Sequence, residues 1–99
     1  MIRGFKDPNA QAIFEQRKPG KGFPSNLIRV SRRKLIMLDS AQTLDDLKNP
    51  PRNHLEELQG DREGQHSIRI NDQFRVCFVW TGTDAEDVEI VDYHKGRWS

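Results

Sequence analysis

From Gln65 to Tyr93 the chain alternates apolar and polar residues with the two-residue period of half-buried strands, whereas before Pro50 its apolar residues recur every three or four positions. Ile68 and Ile70 alternate with Ser67, Arg69 and Asn71, and Phe74, Val76, Phe78 and Trp80 alternate with Arg75, Cys77 and Val79. The pattern predicts strands over 54–58, 65–70, 74–80 and 88–93. A one-residue slip reverses the faces of a strand, so gathering Ile68, Ile70, Phe74, Val76 and Phe78 on one face requires 70 to pair with 74 and 69 with 75. The connection is then a three-residue loop, Asn71-Asp72-Gln73, and Arg69 and Arg75 become direct neighbours on the other face.

Met1 to Lys6 reads as a short edge strand. Asp7-Pro8 opens a helix, with Asp as N-cap and Pro at the first helical position, and Ala10, Ile13, Phe14 and Arg17 fall at helical spacing. The basic loop from Lys18 to Pro24 ends it. A second helix starts at Ser25 and runs to about residue 41, with Leu27, Ser31, Leu35, Leu38 and Ala41 on its buried face and Arg29, Arg32, Arg33 and Lys34 mostly outside. Thr43 and Asp46 form a capping-box pattern for one more turn, which Asn49-Pro50-Pro51 stops. Helices therefore precede Pro51 and strands follow it, an α+β arrangement.

Ninety-nine residues suffice for one small domain, and with 34% hydrophobic against 31% charged residues its core must be thin. The single cysteine, Cys77, excludes an internal disulfide. Neither a signal peptide nor a membrane span is expected, so a cytoplasmic protein is. Net charge is only +1, but residues 1–34 carry nine Lys/Arg against two Asp/Glu and residues 35–99 carry seven against thirteen. The N-terminal third can thus attract phosphates although the whole chain is nearly neutral.

Two features carry candidate chemistry. Like charges opposite each other on a sheet repel, so Arg69 and Arg75 call for an acidic partner such as Glu89 or Asp92, or for an anion between them. Two planar guanidiniums on a rigid sheet suit a phosphate, and Arg62 in the Gly60–Gly64 turn could add a third cation. Asp92-Tyr93-His94 ends the last strand with a carboxylate, a stacking hydroxyl-bearing ring and an imidazole that titrates near neutrality. The bland alternative is an exposed strand end with a packed tyrosine. His66, in phase with Ile68, reads as a partly buried core histidine and Cys77 as a bystander thiol. The face of His54 is open. The basic run from Arg29 to Lys34 reads as a solvated helix face or an RNA contact.

The run Gly60-Asp-Arg-Glu-Gly-Gln-His-Ser-Ile-Arg-Ile-Asn-Asp-Gln-Phe-Arg-Val76, followed by Val88-Glu-Ile-Val-Asp-Tyr-His94, resembles the HigB toxins of the RelE/ParE superfamily. The opening Met1 to Phe5 and the helix through Lys34 to Asp39 are similar too. The resemblance covers residues 1–94 as one domain and leaves 95–99 as a tail. It implies a small RelE-like fold, with N-terminal helices packed on one face of a curved, mainly antiparallel sheet. It also implies a type II toxin that cuts mRNA in the ribosomal A site without metal or cofactor. The expected partners are a helix-turn-helix, HigA-like antitoxin, the ribosome and, through the antitoxin, operator DNA. Asp92, Tyr93, His94 and Arg75 would be catalytic, and Arg62, Arg69 and Arg75 would bind RNA. One departure stands out: many relatives carry L-H-x-L-K-G-D-R where this chain has Leu55-Glu-Glu-Leu-Gln-Gly-Asp-Arg62, with Glu56 and Gln59 at the His and Lys positions. A ParE-like gyrase inhibitor and a weakly active, antitoxin-binding partner are the competing readings.

Overall fold

The structure, a computed structural model, describes residues 1–92. Tyr93, His94 and the tail 95–99 lie outside the described residues. Two helices, α1 (Pro8–Phe14) and α2 (Ile28–Ser40), pack on one face of a four-stranded antiparallel sheet. The strands are β1 (Glu56–Glu57), β2 (Gln65–Arg69), β3 (Phe74–Trp80) and β4 (Ala85–Asp92), in the order β1-β2-β3-β4.

The helix ends follow their local chemistry. Asp7 caps α1 by accepting the Asn9 amide, and Pro8 sits in its first turn. The expected second helix begins with a 3-10 turn, Ser25–Leu27, before α2 proper. Its buried stripe is the expected one: Leu27, Ser31, Leu35, Leu38 and Ala41 all lie inside. Lys34 does not follow the outward expectation, because only 7% of it is exposed. The turns packed behind α2 enclose its stem, and its Nζ donates to Asn53 Oδ1 at 2.5 Å. The Thr43–Asp46 capping box forms at the head of a 3-10 helix, Leu44–Lys48.

Strand β3 has the expected limits, and the hairpin pairs Arg69 with Arg75 and Ile68 with Val76. The Ile70 amide donates to the Phe74 carbonyl, closing the three-residue loop, and Asn71 Oδ1 accepts from the Gln73 and Phe74 amides. The core joins Ile68, Ile70, Val76 and Phe78 of the sheet region to Ala10, Ile13, Leu35 and Leu38 of the helices.

Three expectations change. The strand placed at 54–58 shrinks to Glu56–Glu57, because Pro51–Asn53 forms a 3-10 turn and His54 ends it in the left-handed region, at φ 44°. The strand placed at 88–93 starts three residues earlier, at Ala85. A bulge hides that start: Cys77 pairs with Glu89 but Val79 with Glu86, and Asp87 sits at φ 51°. The extra residue lets Ala85 and Val88, three apart, both point into the core. The N-terminal segment makes isolated parallel bridges, Ile2 to Ala85 and Phe5 to Val88, along the outer edge of β4. It covers that edge without becoming a continuous strand.

Candidate functional site

Strand pairing writes the residues of the second sheet face in rows. Glu56, Ser67, Cys77 and Glu89 are successive cross-strand neighbours, and Arg69, Arg75 and Val91 form the next row. The expected juxtaposition of Arg69 and Arg75 is therefore present. Their acidic partners differ from those expected. Arg69 pairs with Asp72 in its own hairpin loop, and Arg75 lies 3.7 Å from Glu56, a longer contact than a hydrogen bond.

Arg75 is only 6% exposed. Its Nε donates to Ser67 Oγ at 2.7 Å and its Nη2 to the His54 carbonyl at 2.5 Å. A buried guanidinium needs such partners, and together they fix its plane. The left-handed turn at His54 aims that carbonyl back at the sheet. Beside Arg75 opens a pocket of about 240 Å³ lined by His54, Glu56, Arg69, Asn71, Asp72 and Arg75. It combines two guanidiniums with two carboxylates, Glu56 and Asp72, and with His54, groups that can hold an oxyanion and exchange protons beside it.

His54 and Glu56 were not singled out as site residues from the sequence. Assigning their face needs the β1 register, which two paired residues carry without an alternating pattern: Leu55 and Leu58 are the apolar neighbours, three apart. The Pro50-Pro51 pair just before them was the available signal that the chain turns sharply there.

Arg62 lies along the same face but is engaged by Glu89, at 3.1 Å, and by Gln65 Oε1, at 3.2 Å. Lys6 adds a second cation 3.6 Å from Glu89. Cys77 lies under this group with no exposed surface, and burial pushes its thiol pKa up to about 11. It is not poised as a nucleophile. His66 is half-buried and stacks on Phe78 with ring centres 6.2 Å apart, as a core histidine should.

Asp92 lies on the sheet face opposite Arg69 and Arg75. It pairs with Phe74, whose side chain faces the helices, and borders a groove of about 620 Å³ with Phe23, Phe74 and Ile90. Its Oδ2 also accepts from Gln73 Nε2 at 3.3 Å, which ties the end of β4 to the 71–73 loop. Asn71 and Asp72 of that loop line the arginine pocket. Asp92 thus touches the hairpin loop through Gln73, and Tyr93 and His94 fall outside the described residues.

A two-layer α+β domain with a pocket of paired arginines and carboxylates on the helix-free side of its sheet is the class that this geometry defines. Residues 3–94 match the family model of the RelE-like toxin of type II toxin-antitoxin system HigB. The chain is 41% identical over 95 residues to "Toxin HigB-1" of Vibrio cholerae serotype O1, covering 96% of this chain and 99% of that protein. It is 31% identical over 94 residues to "Endoribonuclease HigB" of Proteus vulgaris, covering 95% and 100%, and 31% identical over 84 residues to an uncharacterized protein of Haemophilus influenzae, covering 85% and 83%. The chain belongs to the HigB family of RelE-like toxins, and membership in a toxin–antitoxin system implies an antitoxin partner. Among the described residues, no helix is long and apolar enough to cross a membrane.

Proposed function

We propose that this protein is a ribosome-dependent endoribonuclease that cuts mRNA in the A site without a metal ion, inhibiting translation in the cytoplasm. The observation that carries the reading is the pocket in which Arg69 and Arg75 meet beside His54 and Glu56. The name of the Proteus vulgaris relative, "Endoribonuclease HigB", supports the same chemistry. The substrate's 2′-oxygen attacks the adjacent phosphorus and the bond to the 5′-oxygen breaks. A base takes the 2′-proton and an acid protonates the leaving oxygen, giving a 2′,3′-cyclic phosphate and a 5′-hydroxyl. Charge accumulates on the phosphoryl oxygens in the transition state, where Arg75 and Arg69 stabilise it. Arg62 contributes positive potential through its place on the same face.

His94 serves proton transfer or orients its participants, Tyr93 stacks on a base, and Asp92, on the other sheet face, orients the 71–73 loop through Gln73. Glu56 and His54 keep proton-carrying groups at the pocket although the family histidine and lysine are replaced. The ribosome aligns the mRNA. A HigA-like helix-turn-helix antitoxin neutralises the toxin and carries it to operator DNA.

Purified protein added to programmed ribosomes with end-labelled mRNA should produce cuts in the A-site codon with cyclic-phosphate ends. Tyr93→Phe, His94→Ala and Arg75→Ala should reduce them. Intact mRNA together with blocked gyrase supercoiling would overturn the reading in favour of a ParE-like inhibitor.

A further inference from the structure

A second pocket, of about 370 Å³, opens between the middle of α2, the Pro51–Asn53 turn and the end of β2. Arg33, Lys34, Arg52 and Arg69 line it, and among the described residues no carboxylate does. Among the described residues, Arg33, Lys34 and Arg52 have no ion-pair partner within 4.0 Å. Arg69 has only the exposed Asp72, a pair of little strength. Uncompensated cations crowd one concave surface.

Lys34 makes the feature more than a solvated helix face. It is more than nine-tenths buried, fixed by Asn53, which in turn donates to the Leu47 and Asn49 carbonyls. Burial, and then Arg33 and Arg52, lower its pKa from the ordinary lysine value. Fixing an ammonium beside two guanidiniums costs free energy in the empty protein, and an anion in the pocket relieves it. This pocket shares Arg69 and Asn71 with the one that holds Arg75. The two are neighbouring stations along one path.

We propose that the Arg33–Lys34–Arg52 pocket binds a second phosphate of the RNA strand whose scissile phosphate lies between Arg69 and Arg75. The proposal rests on the endoribonuclease reading for the identity of the strand. Arg69 borders both stations and so sets their order along the backbone. Phosphate contacts fix the register of a strand without reading its bases. The second station therefore positions the strand and leaves sequence preference to other residues.

The test is binding of a fluorescent, 2′-O-methylated single-stranded RNA, which cannot be cut, measured by anisotropy across a series of KCl concentrations. Arg33→Ala and Arg52→Ala remove exposed side chains, so melting curves should stay at wild type. Each variant should bind several-fold more weakly, and each should flatten the slope of log affinity against log salt by about 0.7, the increment for one phosphate contact on a single strand. Arg17→Ala, which removes a cation paired with Glu15 outside the pocket, controls for lost charge alone. A double Arg33→Ala/Arg52→Ala variant with wild-type affinity and slope would overturn the proposal. So would a loss seen with ribosomes but not with the oligonucleotide, which would assign the pocket to ribosomal RNA. Wild-type protein that binds the oligonucleotide through these residues yet never cuts mRNA on ribosomes would instead sink the endoribonuclease reading and leave the pocket standing.

Discussion

Among the described residues Arg75 meets Ser67, the His54 carbonyl and Glu56, and replacing it tests structure and chemistry together. Arg75→Ala removes the donors to Ser67 Oγ and the His54 carbonyl, so both the melting temperature and cleavage should fall. Arg75→Lys keeps the charge but cannot reach both acceptors with a fixed plane. It should fold better than the alanine variant and still cut about 10²-fold more slowly than wild type, as expected when one transition-state donor is lost. Single-turnover cleavage read beside thermal melts separates the two effects. Cys77 gives a different signature. Its folded pKa is raised, so its contribution to stability is complete below the unfolded thiol value of about 8.5 and is lost as pH rises toward about 11. Urea midpoints of wild type should decline through that window more steeply than those of Cys77→Val. At this scale the sequence made the Arg69–Arg75 contact legible, because side-chain alternation alone fixes it. The acids that answer them, Asp72 and Glu56, were not legible. One depends on the curl of a loop and the other on a two-residue strand.

The elements repeat that division between periodic and irregular structure. Asp7, Pro8, Thr43 and Asp46 announce their caps in the sequence, and β3 matches its pattern from end to end. The start of β4 was hidden because the bulge at Asp87 breaks the alternation that defines a strand. The same strand start anchors the N-terminal segment, since Arg3 Nε donates to Asp84 Oδ2 at 3.1 Å and the Arg3 amide donates to the Ala85 carbonyl. The Arg3 hydrogen bond, aided by the N-terminal amine, holds the Asp84 carboxyl below its ordinary pKa. A depressed carboxylate contributes stability above the unfolded value of about 3.9 and loses it as pH falls through the folded one. Protection factors at the Arg3 and Ala85 amides, taken against the intrinsic rate at each pH, should therefore fall in acid in the wild type. In Asp84→Asn they should already be lower at neutral pH, with less further change. Because the pair is exposed, added salt should narrow the difference.

Across the whole molecule the sheet divides the labour. Its helix-bearing face holds the core, while the opposite face and the gap beside α2 hold the cations. Net charge near zero conceals this, because the basic excess of residues 1–34 is offset by acids later in the chain. Encounter with a polyanion responds to the local field. The association rate with ribosomes should thus drop steeply with ionic strength in stopped-flow measurements, despite a net charge of +1. A salt-insensitive rate would contradict a cationic approach surface. The α+β class, the helices-then-strands order and the cationic hairpin could be read from the sequence. The placement of Asp92 on the face away from Arg75 could not, because it depends on how β4 sits against β3.

The N-terminal segment lies along β4, and Asp7 accepts a hydrogen bond from the Ile90 amide, 83 residues further on. Such distant closures are slow, since the intervening chain must be ordered before the contact stabilises anything. During synthesis Ile2 and Phe5 have nothing to pair with until Ala85 and Val88 follow them. Both side chains wait for more than eighty further residues, so the sheet edge that they seal closes only after the rest of the sheet has been made.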